Sequence, residues 1–270
     1  SLASYGDLRR YNTIIISSGR SMDEYTIDIL FDWVSQGGTL IAHNRSTRFL
    51  TSEDGIGNVK QLQNTFDESD DYNFDLLREM YSQYEDIDKD KTNNNMVDFE
   101  ISYPWEDLED NLSEEELKSR DKWQSIFMPS GSIVAGRIDN EHWLTFGNTD
   151  SIPILYSNLP ILMTRSDADA PVRIGQMIPN DKIDKPRVLN WSSIPAGKDL
   201  NVRMSGLVWP EASQRIANSA YLTRESIGDG QVILFSGEPN FRGATLGTNR
   251  LWLNAIVYGP GLGTSDRINP

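Results

Sequence analysis

The sequence predicts an α/β fold with a parallel sheet, and three observations carry that prediction. A short β-branched run, Asn12–Ser17 (NTIIIS), closes near Gly19 as a buried parallel strand would. Behind it, Tyr25, Ile29, Leu30, Trp33 and Val34 fall at helical spacing, and Gly37-Gly38 ends that pattern. A second apolar run, Thr39–Ala42 (TLIA), follows at once. Strand, helix and strand in that order make a right-handed βαβ unit with its strands parallel.

The first helix has a capping-box pattern at its start, Ser21-Met-Asp-Glu24. Residues 45–128 then interrupt the regular patterning. Within them we expect two helices, near Phe74–Tyr84 and Ser113–Arg120, the second opened by the capping box Ser113–Glu116. We read 45–128 as a large, partly mobile insertion within one domain spanning 1–270. Strand patterning returns at Ser132–Ile138, with short strands expected at Pro153–Tyr156, Ile161–Thr164 and Val188–Trp191. Pro210 precedes an expected helix, Glu211–Asn218. Gln231–Ser236 (QVILFS) reads as a buried strand. Thr248 is placed to cap a last helix with Leu251, Trp252, Ala255 and Ile256 toward the core, stopped by Gly259-Pro260.

At 270 residues, with 38% hydrophobic and 10% aromatic residues, the chain can bury a full core. No apolar run approaches the ~20 residues of a membrane helix. The formal charge is −15. Residues 67–121 hold 20 Asp and Glu against 5 Lys and Arg, so they account for all of it and the remainder is balanced. Nucleic acid is therefore an unsuitable partner, since phosphate binding needs a basic footprint. The acidic run reads as a solvated surface.

There are no cysteines, which removes disulfides, thiolate metal sites and thiol nucleophiles together. The G-x-S-x-G elbow of serine hydrolases is absent. Only two histidines exist. His43 ends a core strand and His142 lies in the loop Asn140–Trp143; both read first as packing or hydrogen-bonding groups. Neither begins an H-x-x-E pair, so a catalytic zinc site is not expected in this chain. Asp86, Asp88 and Asp90 open like a calcium loop, but Lys91 stands where glycine should make the turn and Val97 where a glutamate should close it. They are weak calcium candidates at most.

Five blocks together resemble a known family. They are Asp32–Ala42 (DWVSQGGTLIA), Asp139–Gly147 (DNEHWLTFG), Ser205-Gly206, Gly230–Arg242 (GQVILFSGEPNFR) and Gly247–Ala255 (GTNRLWLNA). The pattern resembles the glutamine amidotransferase-like domain found C-terminal to the catalytic domain in bacterial zinc carboxypeptidases of the M14 family. The resemblance implies a flavodoxin-like, mostly parallel sheet flanked by helices. It implies that the chain lacks the first strand of such a domain. It also implies an extracytoplasmic parent metallocarboxypeptidase, with zinc held in an N-terminal peptidase domain that is this domain's partner. A homo-oligomer is a further expectation.

In class I amidotransferases a cysteine sits on the turn after one strand, activated by a histidine with a carboxylate. Aligning Gly38–Ala42 with that strand puts Asn44, or else His43, at the elbow, within His43-Asn44-Arg45-Ser46. Neither side chain is a thiol, so amidotransfer by that route is excluded. Three functions stay open: a non-catalytic accessory domain; a peptide- or glycan-binding module at the carboxyl ends of the strands; and a hydrolase using His43 or His142 with Ser46 or a water. His142 and Arg242 are further binding candidates. In Pro239–Arg242 we expect Phe241 to plug the core and Arg242 to satisfy carbonyls or a carboxylate. Trp33 and Trp252 are expected on core-facing stripes.

Overall fold

The computed structural model describes residues 7–17, 22–84 and 113–265. The first unit is β1 (Thr13–Ile16), α1 (Glu24–Ser35) and β2 (Thr39–His43). The two strands pair in parallel, Thr13 opposite Thr39 and Ile16 opposite Ala42, as expected. The cap differs from the expected box. Helix α1 starts at Glu24, and Asp23 caps it by accepting the Thr26 amide at 2.8 Å. Ser21 lies outside the described residues.

Next come α2 (Thr47–Leu50), β3 (Lys60–Gln61), α3 (Ser69–Tyr84) and α4 (Glu114–Gln124). The capping box at Ser113 and Glu116 is formed. The described part of 45–128 is not peripheral. Tyr72, Leu76 and Met80 recur every fourth residue along α3 and enter the main core with Leu62, Phe66 and Leu117. Charges bind the same helices inward. The Arg173 guanidinium donates to both Glu79 oxygens at 2.8 and 2.9 Å, and Arg215 forks onto Asp121 at 2.7 and 3.1 Å. A narrow apolar stripe is easily hidden among acidic neighbours, and here it sets the packing.

The sheet continues through β4 (Ser130–Ile138), β5 (Ser151–Ser157), β6 (Leu162–Met163) and β7 (Asp169–Ile174). Beyond these lie two small hairpin pairs. β8 (Gln176–Pro179) pairs with β11 (Lys198–Asn201), and β9 (Arg187–Leu189) pairs with β10 (Ser192–Ile194). Then follow β12 (Arg203–Ser205), α5 (Pro210–Ile216), β13 (Ala220–Ile227), β14 (Gly230–Phe235) and α6 (Leu246–Leu262).

Among the described residues, ten strands form the central sheet along the path β1-β2-β14-β13-β7-β4-β12, with β5 on β4 and the β3–β6 pair joined to β13. It is a mixed sheet. β1, β2 and β14 run parallel, while the pairings from β14 through β13 and β7 to β4 are antiparallel. The change of direction is local in origin. β13 and β14 are joined by the two-residue turn Gly228-Asp229, which permits only antiparallel pairing. Glycine at 228 has φ +58°, and a Cβ there would lie 2.5 Å from the Ser35 carbonyl oxygen.

Successive residues of β2 point to opposite faces. Leu40 and Ala42 meet Leu30, Trp33 and Val34 of α1, whereas Ile41 joins Leu251 and Ala255 of α6 on the other face. Helices therefore cover both sides at the parallel end. The expected stop at Gly259-Pro260 does not hold, since α6 continues to Leu262. Neighbouring strands satisfy its final carbonyls: Gln231 donates to the Gly259 oxygen at 2.7 Å and Arg224 to the Gly263 oxygen at 2.9 Å. Its start is also earlier than Thr248, with Thr245 at the cap position.

Candidate functional site

β2 ends at His43, opposite Phe235 of β14. The next residue, Asn44, has φ +56°, the left-handed region that Asn tolerates better than most residues. The chain reverses there into a single turn, Asn44–Ser46, and then α2. The Thr47 hydroxyl closes the turn by donating to the Asn44 carbonyl at 2.7 Å. A sharp strand-to-helix elbow thus exists at the position the sequence indicates, with Asn44 at its apex.

The elbow opens into a cleft of about 760 Å³. One wall is Asn44, Arg45, Arg48 and Phe49. A second comes from the end of β5 and the residues after it, Leu155, Ser157, Asn158 and Leu159. The third is the segment after β14, Glu238 and Phe241. The cleft therefore lies at the carboxyl ends of the parallel strands β2 and β14, where open α/β sheets place ligands. Asn158 also has a left-handed backbone, φ +45°.

The Pro239–Arg242 segment differs from expectation. Phe241 is 36% exposed and lines the cleft; it does not plug the core. Arg242 is exposed, with φ +50°, and its guanidinium lies 5.1 Å from the Phe241 ring centre. Pro239 is the buried residue of the segment, so it anchors the loop while Phe241 and Arg242 turn outward.

His43 is buried at 7% exposure, with the Trp252 ring edge-on at 5.3 Å. Burial holds its imidazole below the usual value, and the nearby Glu238 charge opposes that shift. Its Nδ1 and the buried Ser46 hydroxyl make no hydrogen bond, so the two are not joined. His142 is used elsewhere. Its Nδ1 accepts the Leu144 amide at 3.1 Å, capping the turn Trp143–Thr145, and its Nε2 is 3.5 Å from Asp169. The His142 imidazole, with Arg224 also near, lowers the Asp169 pKa against a partial desolvation. β14 and β13 separate β2 from β7, the strand bearing Asp169. Three strand spacings amount to about 14 Å. The fold does not bring His43, Ser46 and His142 into one hydrogen-bonded constellation.

Asp86, Asp88 and Asp90 lie outside the described residues. Among the described residues, no three His, Asp or Glu side chains gather as a metal ion would require. Among the same residues, no helix is long and apolar enough to cross a membrane. Trp33 is buried, and Trp252 packs against Phe235 at 5.7 Å. Reading the sequence missed Arg48, Phe49, Asn158 and Glu238 as wall residues. Glu238 carried a usable signal, since it follows a parallel strand's carboxyl end. Asn158 carried none, because β5 reaches the cleft only through the sheet's path.

No protein-family model matches the chain, and no curated protein matches it. A solved structure of a cytoplasmic protein from Salmonella typhimurium is similar over 96% of this chain and 74% of that one, at 11% identity and a TM-score of 0.42. A likeness of that size transfers no function.

Proposed function

We propose that this chain is a non-catalytic ligand-binding domain on a flavodoxin-like, amidotransferase-like scaffold, with its ligand in the cleft at the elbow. One observation carries the reading. The left-handed turn at Asn44 opens onto a roomy, mixed polar and apolar cleft at the carboxyl ends of β2 and β14. A volume of about 300–1,000 Å³ is usual for small-molecule sites. In the intact protein, the resemblance to M14 carboxypeptidases would make this an accessory domain beside a zinc peptidase domain, presenting or sensing ligand without performing chemistry.

The test is a fragment screen by ligand-observed NMR on the wild-type chain and on Phe241→Ala and Arg48→Glu variants. The reading expects hits that bind the wild type and weaken in both variants. Hits indifferent to both substitutions, or no hits at all, would refute it.

A further inference from the structure

The arginines of this acidic chain are mostly engaged. Arg173 holds Glu79, Arg215 holds Asp121, and Arg165 holds Asp71 at 3.2 Å and Asp75 at 3.5 Å. Arg45 and Arg48 are among those that are not, and they share a cleft. Both line the cleft, both are exposed, and among the described residues neither guanidinium has a hydrogen bond or an ion pair. Glu238 lines the same cleft and likewise has no cationic partner within ion-pair distance among the described residues. Opposite charges thus share one cavity without neutralising each other. The arginines belong to the elbow wall and the carboxylate to the segment after β14.

The apolar part of the lining is Phe49, Leu155, Leu159 and Phe241. Neutral hydrogen-bonding groups, Asn44, Ser157 and Asn158, complete the lining. A purely anionic ligand would leave Glu238 as a repulsive neighbour. A neutral glycan can hydrogen-bond to these side chains but neutralises none of the three charges. From this arrangement we infer that the cleft takes a zwitterionic, apolar ligand of the short-peptide class. Its free carboxylate lies on Arg45 and Arg48, its ammonium lies toward Glu238, and its side chains lie on the phenylalanine and leucine walls. Arginine suits the first role because its planar fork matches a carboxylate. The cleft's size favours more than a single amino acid. The inference rests on the cleft being a ligand site and adds the ligand's class.

The experiment is isothermal titration of the full chain with tri-leucine, its C-terminal amide, its N-acetyl derivative, and maltotriose as a neutral glycan. Each is repeated on the double variant Arg45→Gln/Arg48→Gln and on Glu238→Gln. These residues are exposed, and unchanged melting temperatures would show that the variants fold. Tri-leucine is expected to bind the wild type. Amidation should weaken it by about tenfold or more, the usual worth of a charge-assisted contact. In the double arginine variant the free and amidated peptides should bind alike. In Glu238→Gln the free and acetylated peptides should do so. Equal binding of free and blocked peptides to the wild type, tighter binding of maltotriose, or no binding of tri-leucine overturns the inference. If fragments bind the cleft but the peptide termini make no difference, the ligand class falls and the cleft stands. If fragments also fail, both fall.

Discussion

Replacing Arg173 by methionine should destabilise the protein by about 3 kcal/mol, because this side chain pins α3 to the sheet. Arg173 is 5% exposed and Glu79 27%. The guanidinium donates to both Glu79 oxygens at 2.8 and 2.9 Å, to the Thr164 hydroxyl at 2.9 Å and to the Asn218 carbonyl at 3.1 Å. Removing one member of a buried pair costs about 3–5 kcal/mol, mostly through the charge left behind. Here the survivor, Glu79, is the more exposed partner and regains some hydration, which places the loss near the lower limit. The reverse change, Glu79→Leu, strands the more deeply buried charge and should cost more. The double variant should recover part of the loss. Urea unfolding followed by tryptophan fluorescence measures all three. At about 2–4 °C per kcal/mol for a chain of this size, the melting temperature of Arg173→Met should fall by roughly 6–12 °C. A loss below about 1 kcal/mol for Arg173→Met would refute the claim that this part of the acidic segment is fastened to the core by charge.

Two further outcomes are expected. The chain has no cysteine, so Asn44→Cys would carry a unique thiol at the elbow. A thiol reagent should label it in the native state while the buried position in His43→Cys stays protected, and left-handed strain should cost the first variant about 1 kcal/mol. Native-state resistance of Asn44→Cys would contradict an open elbow. His43 should make stability depend on pH. Its folded pKa is depressed by burial, so its contribution is present above the ordinary value of about 6.5 and is lost as pH falls through the folded value. Denaturation midpoints from pH 7.5 to 5 should fall less steeply for His43→Asn than for the wild type, and identical slopes would rule out this source.

The parts of the fold legible in the sequence are those governed by local spacing. The parallel pair β1 and β2, helix α1 between them, the buried strand β14 and the elbow after Ala42 all follow from short patterns. β13 was missed although its signal was present. Gly228-Asp229 before the run at Gly230 is a hairpin signature, and it explains why the sheet turns antiparallel there. Both helices of the acidic segment were expected; the apolar stripe Tyr72, Leu76 and Met80 by which α3 enters the core was not, because charge dominates the composition there.

By itself the sequence determined the chemistry that is absent from the elbow: no thiol, with Asn44 or else His43 at the apex, and the left-handed backbone of Asn44 decided between them. It could not determine the cleft. Arg45 and Arg48 follow β2, Leu155 to Leu159 end and follow β5, and Glu238 and Phe241 follow β14. Only the order of strands across the sheet brings these three segments to one opening. Whether Phe241 faces the core or the cleft was likewise decided by tertiary packing, because Pro239 took the buried position first.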